Sequence, residues 1–378
     1  MKKTILVICN SSSGFYRLRK ELIMEALKTY HMIVLGPSTG FEKELEKLGC
    51  TYHKIEYDGH SINPAEEIKL IKKYYQHIVA IKPDIVLTYA IKPNVYGGII
   101  CKWKRIPYIV NITGLGNAFV EKGILQTVSL HLYRKSLKRA GMVFFQNQDN
   151  LDYMLRKKVL GKNNYALIPG SGVNLTQYKA LDYPLDSIIR FFFIARIIKE
   201  KGIDQIIDAA EYFQNNPDVE FHICGGCGDD YADRIRHLNK NGLISYHGVI
   251  GPLEDMIKVY QTASCVVHPT YYAEGISNVL LEAAASARPI IATDRAGCRE
   301  VIDDGKNGFL VREKDSNDLI EKLRYFISLP LEERRKMGLL GREKVEREFN
   351  RDRVVNAYIR TIDSLIENGT ARETKQQQ

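Results

Sequence analysis

The feature of this sequence that most constrains its fold is a regular alternation of short, uninterrupted apolar runs with longer segments of helical periodicity. The runs are rich in β-branched residues. A strand that is buried on both faces is apolar throughout, and such strands occur in parallel sheets that helices cover on both sides. The pattern therefore predicts doubly wound α/β sheets. The apolar runs occupy residues 5–9, 32–35, 84–89, 108–112, 142–145 and 165–168 in the first half and residues 188–195, 219–224, 243–248, 264–269, 289–293 and 308–311 in the second.

With 378 residues, the chain is too long for a single core of ordinary size and suits two domains. Residues 170–188, between the two sets of runs, are rich in turn formers and lack strong periodicity. We predict an N-terminal Rossmann-like domain over residues 1–175 and a C-terminal one over residues 176–350, facing each other across a cleft. The chain then closes with a helical pattern over residues 351–367 and a polar tail, residues 368–378, that we expect to be disordered.

Composition and charge restrict the classes of function. No stretch approaches the ~18 apolar residues that a membrane-spanning helix requires, and seven scattered cysteines indicate a reducing compartment without a disulfide framework. Residues 1–175 contain 26 Lys and Arg against 13 Asp and Glu, whereas residues 176–378 contain 28 against 32. A basic half favours an anionic partner, with a merely solvated lysine-rich surface as the alternative. No zinc-finger spacing, RNP pattern or basic zipper is present, so a phosphorylated ligand or an anionic lipid surface remains rather than a nucleic acid.

Ligands of open α/β sheets bind at the carboxyl ends of the strands, so the residues that follow the apolar runs are the candidates. Ser13 and Gly14 lie in a small-residue loop that opens a helix after the first strand, where amides can face a phosphate, although a purely structural turn fits equally well. Arg196 and Lys201 follow the first strand of the second half, and two cations there suit a diphosphate. The alternative for this pair is two solvated surface side chains.

The segment FHICGGCGDD (221–230) follows the next strand and contains several glycines. Cys224 and Cys227 have C-x-x-C spacing, but no second such pair exists to complete a zinc site. Gly226 and its neighbouring glycines are therefore better interpreted as a tight loop that faces a ligand.

The segment 268–293 carries the most specific pattern, two glutamates eight residues apart around a predicted helix start. Glu274 lies in the loop before the helix and suits a sugar hydroxyl, whereas Glu282, two turns into the helix, suits a ribose diol. An unpaired carboxylate in the apolar stretch VLLEAAA would be costly, which favours a functional role for Glu282. The free amides at the helix start would point at an anion. These amides belong to Ile276, Ser277 and Asn278.

The stretch EGISNVLLE, together with Arg196 and Lys201 in ARIIKEKG, resembles the nucleotide-sugar site of retaining glycosyltransferase family 4, whose fold is GT-B. The resemblance covers nearly the whole chain, and it implies that the helix over residues 351–367 returns toward the N-terminal domain. The segment YIVNITGLG (108–116) is similar to a subgroup that builds bacterial surface polysaccharide or lipid-linked glycan. Members of that subgroup add galactose-type or N-acetylhexosamine residues to a sugar on undecaprenyl diphosphate.

The resemblance implies a role for each matching residue. Arg196 and Lys201 would hold the donor diphosphate and, with Glu274 on the reacting face of the sugar, would form the catalytic set. The donor-binding set implied by the resemblance and the loop patterns is Ser13, Gly14, Gly226, Ile276, Ser277, Asn278 and Glu282. Many family members carry a histidine on the acceptor side where this chain has Thr113 and Gly114.

The expected reaction needs no cofactor other than the nucleotide sugar, which we expect to be a UDP-sugar. No two aspartates are two residues apart, so a D-x-D metal site is absent from the sequence and the cations would replace Mg²⁺. The main alternative is a non-hydrolysing UDP-sugar 2-epimerase of the same fold. A nucleotide-sensing or scaffold protein without the chemistry is a second alternative.

A membrane-facing surface is expected on the basic N-terminal half, and it would place the enzyme on the inner face of the cytoplasmic membrane. The only tryptophan, Trp103, lies among lysines and an arginine, and the segment 123–140 has leucines at 125, 130 and 132 before a basic end. A helix packed on its own sheet, with a solvated basic end, is the alternative. The residues expected to dock are Trp103, Arg134, Lys135, Lys138 and Arg139.

Overall fold

The protein divides into two compact units in a computed structural model. One unit comprises Met1–Ser171 together with Arg351–Gln378, and the other comprises Gly172–Asn350. The sequence-based boundary at residue 175 lies close to this division. The structure describes residues 2–59, 61, 63–115, 123–161, 164–273 and 275–376, with only the backbone described for residues 124 and 369–376.

The first unit is built on a seven-stranded parallel sheet in the order β3-β2-β1-β4-β5-β6-β7. Its strands are β1 (Thr4–Ile8), β2 (His31–Gly36), β3 (Thr51–Lys54), β4 (Ile85–Tyr89), β5 (Tyr108–Ile112), β6 (Met142–Phe145) and β7 (Tyr165–Leu167). Its helices are α1 (Ser12–Thr29), α2 (Glu42–Leu48), α3 (Pro64–Ile81), α4 (Gly98–Lys104), α5 (Ile124–Leu137) and α6 (Gln148–Arg156), with a π-helical turn at Pro93–Gly97.

The continuous apolar strands place residues in two separate cores, because successive side chains of a strand point to opposite faces of the sheet. In β1, Leu6 and Ile8 belong to the core beneath α3, α4 and α5. Ile5 and Val7 belong to the core beneath α1 on the other face. The sequence TILVI is therefore apolar at every position but the first, as a strand covered on both sides requires.

The last helix of the chain, α13 (Arg351–Gln376), belongs to the first unit. Tyr358 is fully buried in the core beneath α1, and the guanidinium of Arg351 lies 2.9 Å from a carboxylate oxygen of Glu21 on α1. The backbone is helical as far as Gln376, whereas the sequence predicts a disordered tail from residue 368. A helix that has been nucleated by packing gains one hydrogen bond for each further residue, and this gain does not depend on apolar periodicity.

The second unit contains a six-stranded parallel sheet in the order β10-β9-β8-β11-β12-β13, covered by helices on both faces. Its strands are β8 (Ile189–Ile194), β9 (Val219–Cys224), β10 (Ser245–Gly248), β11 (Cys265–His268), β12 (Ile290–Thr293) and β13 (Gly308–Val311). Its helices are α7 (Ile203–Phe213), α8 (Asp229–Lys240), α9 (Leu253–Thr262), α10 (Asn278–Ala285), α11 (Ser316–Ser328) and α12 (Leu331–Glu348).

Both sheets reverse their strand order at one point, between β1 and β4 in the first unit and between β8 and β11 in the second. The predicted class, α/β with two Rossmann-like parallel sheets, is confirmed. The carboxyl ends of the strands on either side of such a reversal form the usual ligand-binding crevice of this kind of sheet. Within the part of the chain that the structure describes, no helix is both long and apolar enough to span a bilayer.

Candidate functional site

The site in the second unit lies at the strand reversal. β8 and β11 are paired in parallel, with Phe191 opposite Cys265 and Phe192 opposite Val266. The segment after β8, which carries Arg196 and Lys201, and the loop 269–273 after β11 therefore leave the sheet side by side.

Backbone hydrogen bonds hold these two segments together. Lys199–Lys201 form a 3₁₀ turn, and the carbonyl of Glu200 accepts from the amide of Tyr271 at 2.8 Å and from the hydroxyl of Thr270 at 3.2 Å. Gly202 ends the turn with φ +82°, and a β-carbon there would lie 2.2 Å from the carbonyl oxygen of Pro269. Only glycine fits so close to the strand end, and this fixes the turn against the loop.

The two cations chosen from the sequence lie against one aromatic ring. The Cζ atom of Arg196 is 5.6 Å from the ring centroid of Tyr272, and the Nζ atom of Lys201 is 5.3 Å from it. Arg196 is exposed, whereas only 8% of Lys201 is accessible to solvent. Tyr272 is not among the residues that the sequence predicts for the site, although two adjacent tyrosines shortly before Glu274 were a visible signal.

The helix start that the sequence assigned to an anion is partly engaged with the protein. Ser277 caps α10, and its amide donates to the carbonyl of Gly297 at 2.9 Å. This amide is therefore not turned toward a ligand in this conformation. Ile276 is buried, and Asn278 begins the helix with its side-chain oxygen buried and, among the described residues, without a hydrogen-bond partner.

Glu282 has the partner that its apolar surroundings require. The hydroxyl of the buried Tyr260 donates to its carboxylate at 3.1 Å. Burial, and then the charge of Glu282, hold the pKa of Tyr260 well above its usual value, so this hydroxyl keeps its proton and remains a donor. Glu274, the other glutamate of the motif, lies outside the described residues.

The glycine loop after β9 approaches the first part of the site closely. Gly225 has φ +151°, and a β-carbon on it would lie 1.7 Å from the carbonyl oxygen of Ala195. The carbonyl of Gly226 accepts from the amide of Ile197 at 2.8 Å, which places this loop beside the segment of Arg196. Burial raises the pKa of Cys224 to about 12, and no group of three metal-ligating side chains occurs in the described part of the chain.

In the first unit, the amides of the serine loop are already used. Ser13 donates its amide to the hydroxyl of Thr39 at 3.0 Å, and Gly14 donates its amide to the hydroxyl of Ser11, also at 3.0 Å. Neither amide faces a ligand in this conformation, unlike the arrangement that the sequence suggested. Glu42 completes the cluster, since its carboxylate accepts from Ser12 and from the amide of Thr39.

Glu42 and Thr39 were missed at the level of the sequence. The hydrogen bond from Ser12, followed by those from backbone amides, lowers the pKa of Glu42 to about 2. The spacing Thr-x-x-Glu over residues 39–42 is that of a capping box and was the available signal. On the expected acceptor side, Thr113 and Gly114 follow β5 and are half-buried, with Gly114 at φ +152°.

Of the expected membrane-facing residues, Trp103 lies on α4, Arg134 and Lys135 lie on α5, and Lys138 and Arg139 follow its end. The two helices are neighbours, since the ammonium of Lys102 lies 3.3 Å from the carbonyl oxygen of Lys135. Trp103 is 69% exposed and stacks on Tyr75 of α3 at 5.6 Å, with the ammonium of Lys104 5.2 Å from its ring.

The individual side chains of α5 differ from the expectation in two respects. Arg134 donates to the carbonyls of Lys157 and Lys158 at 2.9 and 3.0 Å and so completes the end of α6. Of the three leucines, Leu125 is exposed, whereas Leu130 and Leu132 pack against the core because they point to the sheet. The remaining basic residues are exposed, namely Lys135, Lys138 and Arg139.

An apolar stripe on α3 extends this surface and was not anticipated. Ile68, Ile71 and Val79 are exposed and recur at helical spacing on one side of the helix, in line with Tyr75. The stripe lies beside Trp103 through the stacking of Tyr75. We call Ile68, Ile71, Tyr75, Val79, Trp103, Lys135, Lys138 and Arg139 the basic-apolar surface.

Two family models match the chain in succession. "Glycosyl transferase 4-like" matches residues 4–147, and "Glycosyl transferases group 1" matches residues 186–344. The chain is 25% identical, over 96% of its own length and 98% of the relative's, to the N,N'-diacetylbacillosaminyl-diphospho-undecaprenol alpha-1,3-N-acetylgalactosaminyltransferase of Campylobacter jejuni. It is 23% identical to the capsular polysaccharide biosynthesis glycosyltransferase CapM of Staphylococcus aureus, over 86% of this chain and 94% of the relative.

Solved structures share the fold over nearly the whole chain. A glycosyltransferase from Rickettsia africae superposes with a TM-score of 0.78 at 18% identity, covering 97% of this chain and 99% of the other. Anabaena HepE in complex with UDP and glucose superposes with a TM-score of 0.77 at 17% identity, covering 96% and 100%.

Proposed function

This chain belongs to the glycosyltransferases of the 4-like and group 1 families, and from that premise we propose that it transfers a sugar from a UDP-sugar to a lipid-diphosphate-linked saccharide with retention of configuration. The single observation that carries the donor assignment is the pair Arg196 and Lys201 around Tyr272 at the strand reversal of the second unit. A diphosphate fits a pair of cations placed at such a point.

The cations would act on the leaving group. When the bond from the anomeric carbon to the diphosphate breaks, negative charge grows on the diphosphate oxygens. Arg196 and Lys201 would therefore stabilise the transition state more than the bound substrate, which is the condition for catalysis. Glu282, held by Tyr260, would bind the ribose diol, and Glu274 would bind hydroxyls of the donor sugar.

Retention of configuration is expected by attack from the leaving-group face. The acceptor hydroxyl approaches the anomeric carbon on that face, and the departing phosphate oxygen takes its proton. No protein base is then required, which is compatible with Thr113 where many relatives carry histidine. A double displacement would instead need a carboxylate at the anomeric carbon, and Glu274 is the residue proposed for it in that case.

The proposed acceptor class comes from the relatives. The Campylobacter jejuni relative is named for transfer to a saccharide on diphospho-undecaprenol, and the Staphylococcus aureus relative for capsular polysaccharide biosynthesis. We infer that the sugar moved here is a hexose or an N-acetylhexosamine, and that the first unit binds the acceptor near Thr113 and Gly114.

An acceptor of this class has its diphosphate at a membrane surface, and the basic-apolar surface suits that location. Its exposed apolar side chains and the aromatic ring of Trp103 match the boundary between headgroups and acyl chains. Its lysines and arginine match an anionic leaflet. We therefore propose that the enzyme is peripheral on the inner face of the cytoplasmic membrane.

The test is a screen of UDP-sugars against saccharides on undecaprenyl diphosphate, with product masses and the anomeric configuration of the new bond by NMR. We expect UDP release and one α-linked product when the donor is an α-linked UDP-hexose or UDP-N-acetylhexosamine. An inverted product would overturn the retaining mechanism. Conversion of a UDP-sugar to its 2-epimer without an acceptor would overturn the transferase assignment in favour of the epimerase.

A further inference from the structure

Both cations of the proposed donor site lie over the ring of one described residue, Tyr272. Its ring centroid lies 5.6 Å from Cζ of Arg196 and 5.3 Å from Nζ of Lys201. A cation within about 6 Å of an aromatic face is attracted by the negative charge of that face. The side chain of Tyr272 is half-buried, so part of this attraction takes place away from bulk water.

An aromatic ring can hold two cations close together without competing with an anionic ligand, as a carboxylate would. Two cations that bind one diphosphate repel each other while the site is empty. A carboxylate would attract both, but it would also compete with the phosphate oxygens. An aromatic face attracts the cations but does not compete with the phosphate oxygens for them.

The position of the ring relative to the cations is fixed by the backbone. The amide of Tyr272 donates to the hydroxyl of Thr270 at 3.2 Å, and that hydroxyl donates to the carbonyl of Glu200 at 3.2 Å. The amide of Tyr271 donates to the same carbonyl at 2.8 Å. The loop that carries the ring is thus bonded directly to the turn that carries Lys201.

We propose that Tyr272 is the positioning residue of this site, and that its ring holds the guanidinium of Arg196 and the ammonium of Lys201 in the arrangement that binds a nucleoside diphosphate. The inference rests on the proposed function, because it concerns the same donor site. It adds a residue that acts through the cations, by the electrostatics of its ring.

The first experiment compares two substitutions by titration calorimetry with UDP. Tyr272→Phe keeps the ring and should bind UDP within about twofold of the wild type. Tyr272→Leu removes the ring and should bind UDP about tenfold more weakly, which corresponds to about 1.4 kcal/mol. Because the cations also face the transition state, kcat/KM for the UDP-sugar should fall by at least the same factor.

The matched control is Tyr271→Leu. This neighbouring ring lies 4.7 Å from the ammonium of Lys314 and belongs to the same loop. Its loss should leave the affinity for UDP within about twofold of the wild type. Equal weakening by Tyr271→Leu and Tyr272→Leu would indicate general damage to the loop and would overturn the inference.

A second experiment separates the electrostatics of the ring from its shape. Phenylalanine with one, two and three ring fluorines at position 272 keeps the shape while it withdraws charge from the face. The affinity for UDP should decline with each fluorine, with the melting temperature unchanged. If the affinity for UDP does not depend on fluorination, or if Tyr272→Leu binds UDP as the wild type does, the inference about Tyr272 is overturned. The proposed donor site is not affected by either result. A wild-type protein that binds no UDP overturns the proposed donor site together with the inference about Tyr272.

Discussion

At the scale of the residue, Lys201 combines a high cost of desolvation with a position that suits the binding of an anion. A lysine with 8% of its surface accessible gives up most of its hydration. Its turn is held by the carbonyl of Glu200, which accepts from two groups of the loop after β11, so its backbone is fixed at this buried position. A charge kept in such a place is typical of a group that binds or stabilises an anion.

We expect Lys201→Ala and Arg196→Ala each to lower kcat/KM by roughly 10²-fold, or about 3 kcal/mol, because each would remove a charge that, in the proposed function, faces the leaving diphosphate. Steady-state kinetics with the UDP-sugar checks this. Lys199→Ala, an exposed lysine in the same turn, is the control and should retain the wild-type rate. Near wild-type turnover in either cation variant would remove it from the diphosphate site.

At the scale of the element, hydrogen bonds join the start of α1 to the start of α2. The hydroxyl of Ser12 donates to Glu42 at 2.5 Å, and the amides of Thr39 and Gly40 donate to the same carboxylate oxygen at 2.7 and 3.0 Å. Because these donors favour the charged form, the pKa of Glu42 falls from 4.5 to about 2. The charge of Glu42 therefore stabilises the folded state above pH ~4.5, and this stabilisation is lost as the pH falls toward ~2.

The prediction for Glu42→Gln follows from the lowered pKa of Glu42. At pH 7 the variant should unfold at a lower urea concentration than the wild type, by an amount equivalent to ~1 kcal/mol, and the difference should shrink as the pH falls from about 4.5 toward 2. Because Trp103 is the only tryptophan of the chain and lies in the first unit, its fluorescence reports unfolding of that unit. Glu46→Gln, exposed on the same helix, should show no such pH dependence.

The proposed membrane docking would depend on the basic end of α5. Replacing Lys135, Lys138 and Arg139 with Gln should weaken binding to anionic vesicles at low salt by about tenfold or more, since each basic side chain near the leaflet contributes about 1 kcal/mol. Vesicle sedimentation measures this. Arg134 is left in place because it completes the end of α6, so its loss would also disturb the fold.

A matched variant separates docking from net charge. Replacing three exposed residues of the second unit, Lys240, Arg324 and Lys336, with Gln removes the same charge. This variant should bind vesicles as the wild type does. Turnover of the α5 variant should fall with long-chain acceptors and stay near wild type with short water-soluble ones. Equal vesicle binding by both variants would place the docking surface elsewhere.

At the scale of the whole molecule, the chain forms a sheet of seven strands and a sheet of six, and the six-stranded sheet repeats the order of the first six strands of the other. The family expected from the sequence is confirmed by two models that match residues 4–147 and 186–344. Parallel sheets of this kind place loops, helix starts and strand ends at one edge. In the second unit that edge carries both cations, the glycine loop and the start of α10.

Turnover by the intact enzyme is expected to persist in excess EDTA. In the proposed function, Arg196 and Lys201 would supply the positive charge that Mg²⁺ supplies in enzymes with a D-x-D motif, and the sequence contains no such motif. The measurement is UDP release with and without EDTA after gel filtration. Complete loss that Mg²⁺ or Mn²⁺ restores would show that a metal, and not the two side chains alone, neutralises the leaving group.

The parts of the site that follow from local sequence were predictable. Arg196 and Lys201 stand out because they follow a buried strand, and Glu282 stands out because a carboxylate in VLLEAAA demands a partner. The identity of that partner, Tyr260, was not predictable, since it lies 22 residues earlier on another helix. Tyr272 was missed for the same reason, because its role depends on two side chains from a different strand end.

The sequence by itself determined the class of the fold, because continuous apolar strands have only one stable use, in parallel sheets covered on both faces. It also indicated where to look for an anionic ligand, because Arg196 and Lys201 follow the first strand of the second half and Glu282 lies in an apolar stretch. Only the tertiary structure decided which backbone amides remain available to bind a ligand. The amides of Ser13, Gly14 and Ser277 are taken by Thr39, Ser11 and Gly297. The bond of Gly14 is the local cap of α1 by Ser11. The bonds of Ser13 and Ser277 join residues far apart in the chain, and a local pattern carries no information about such partners.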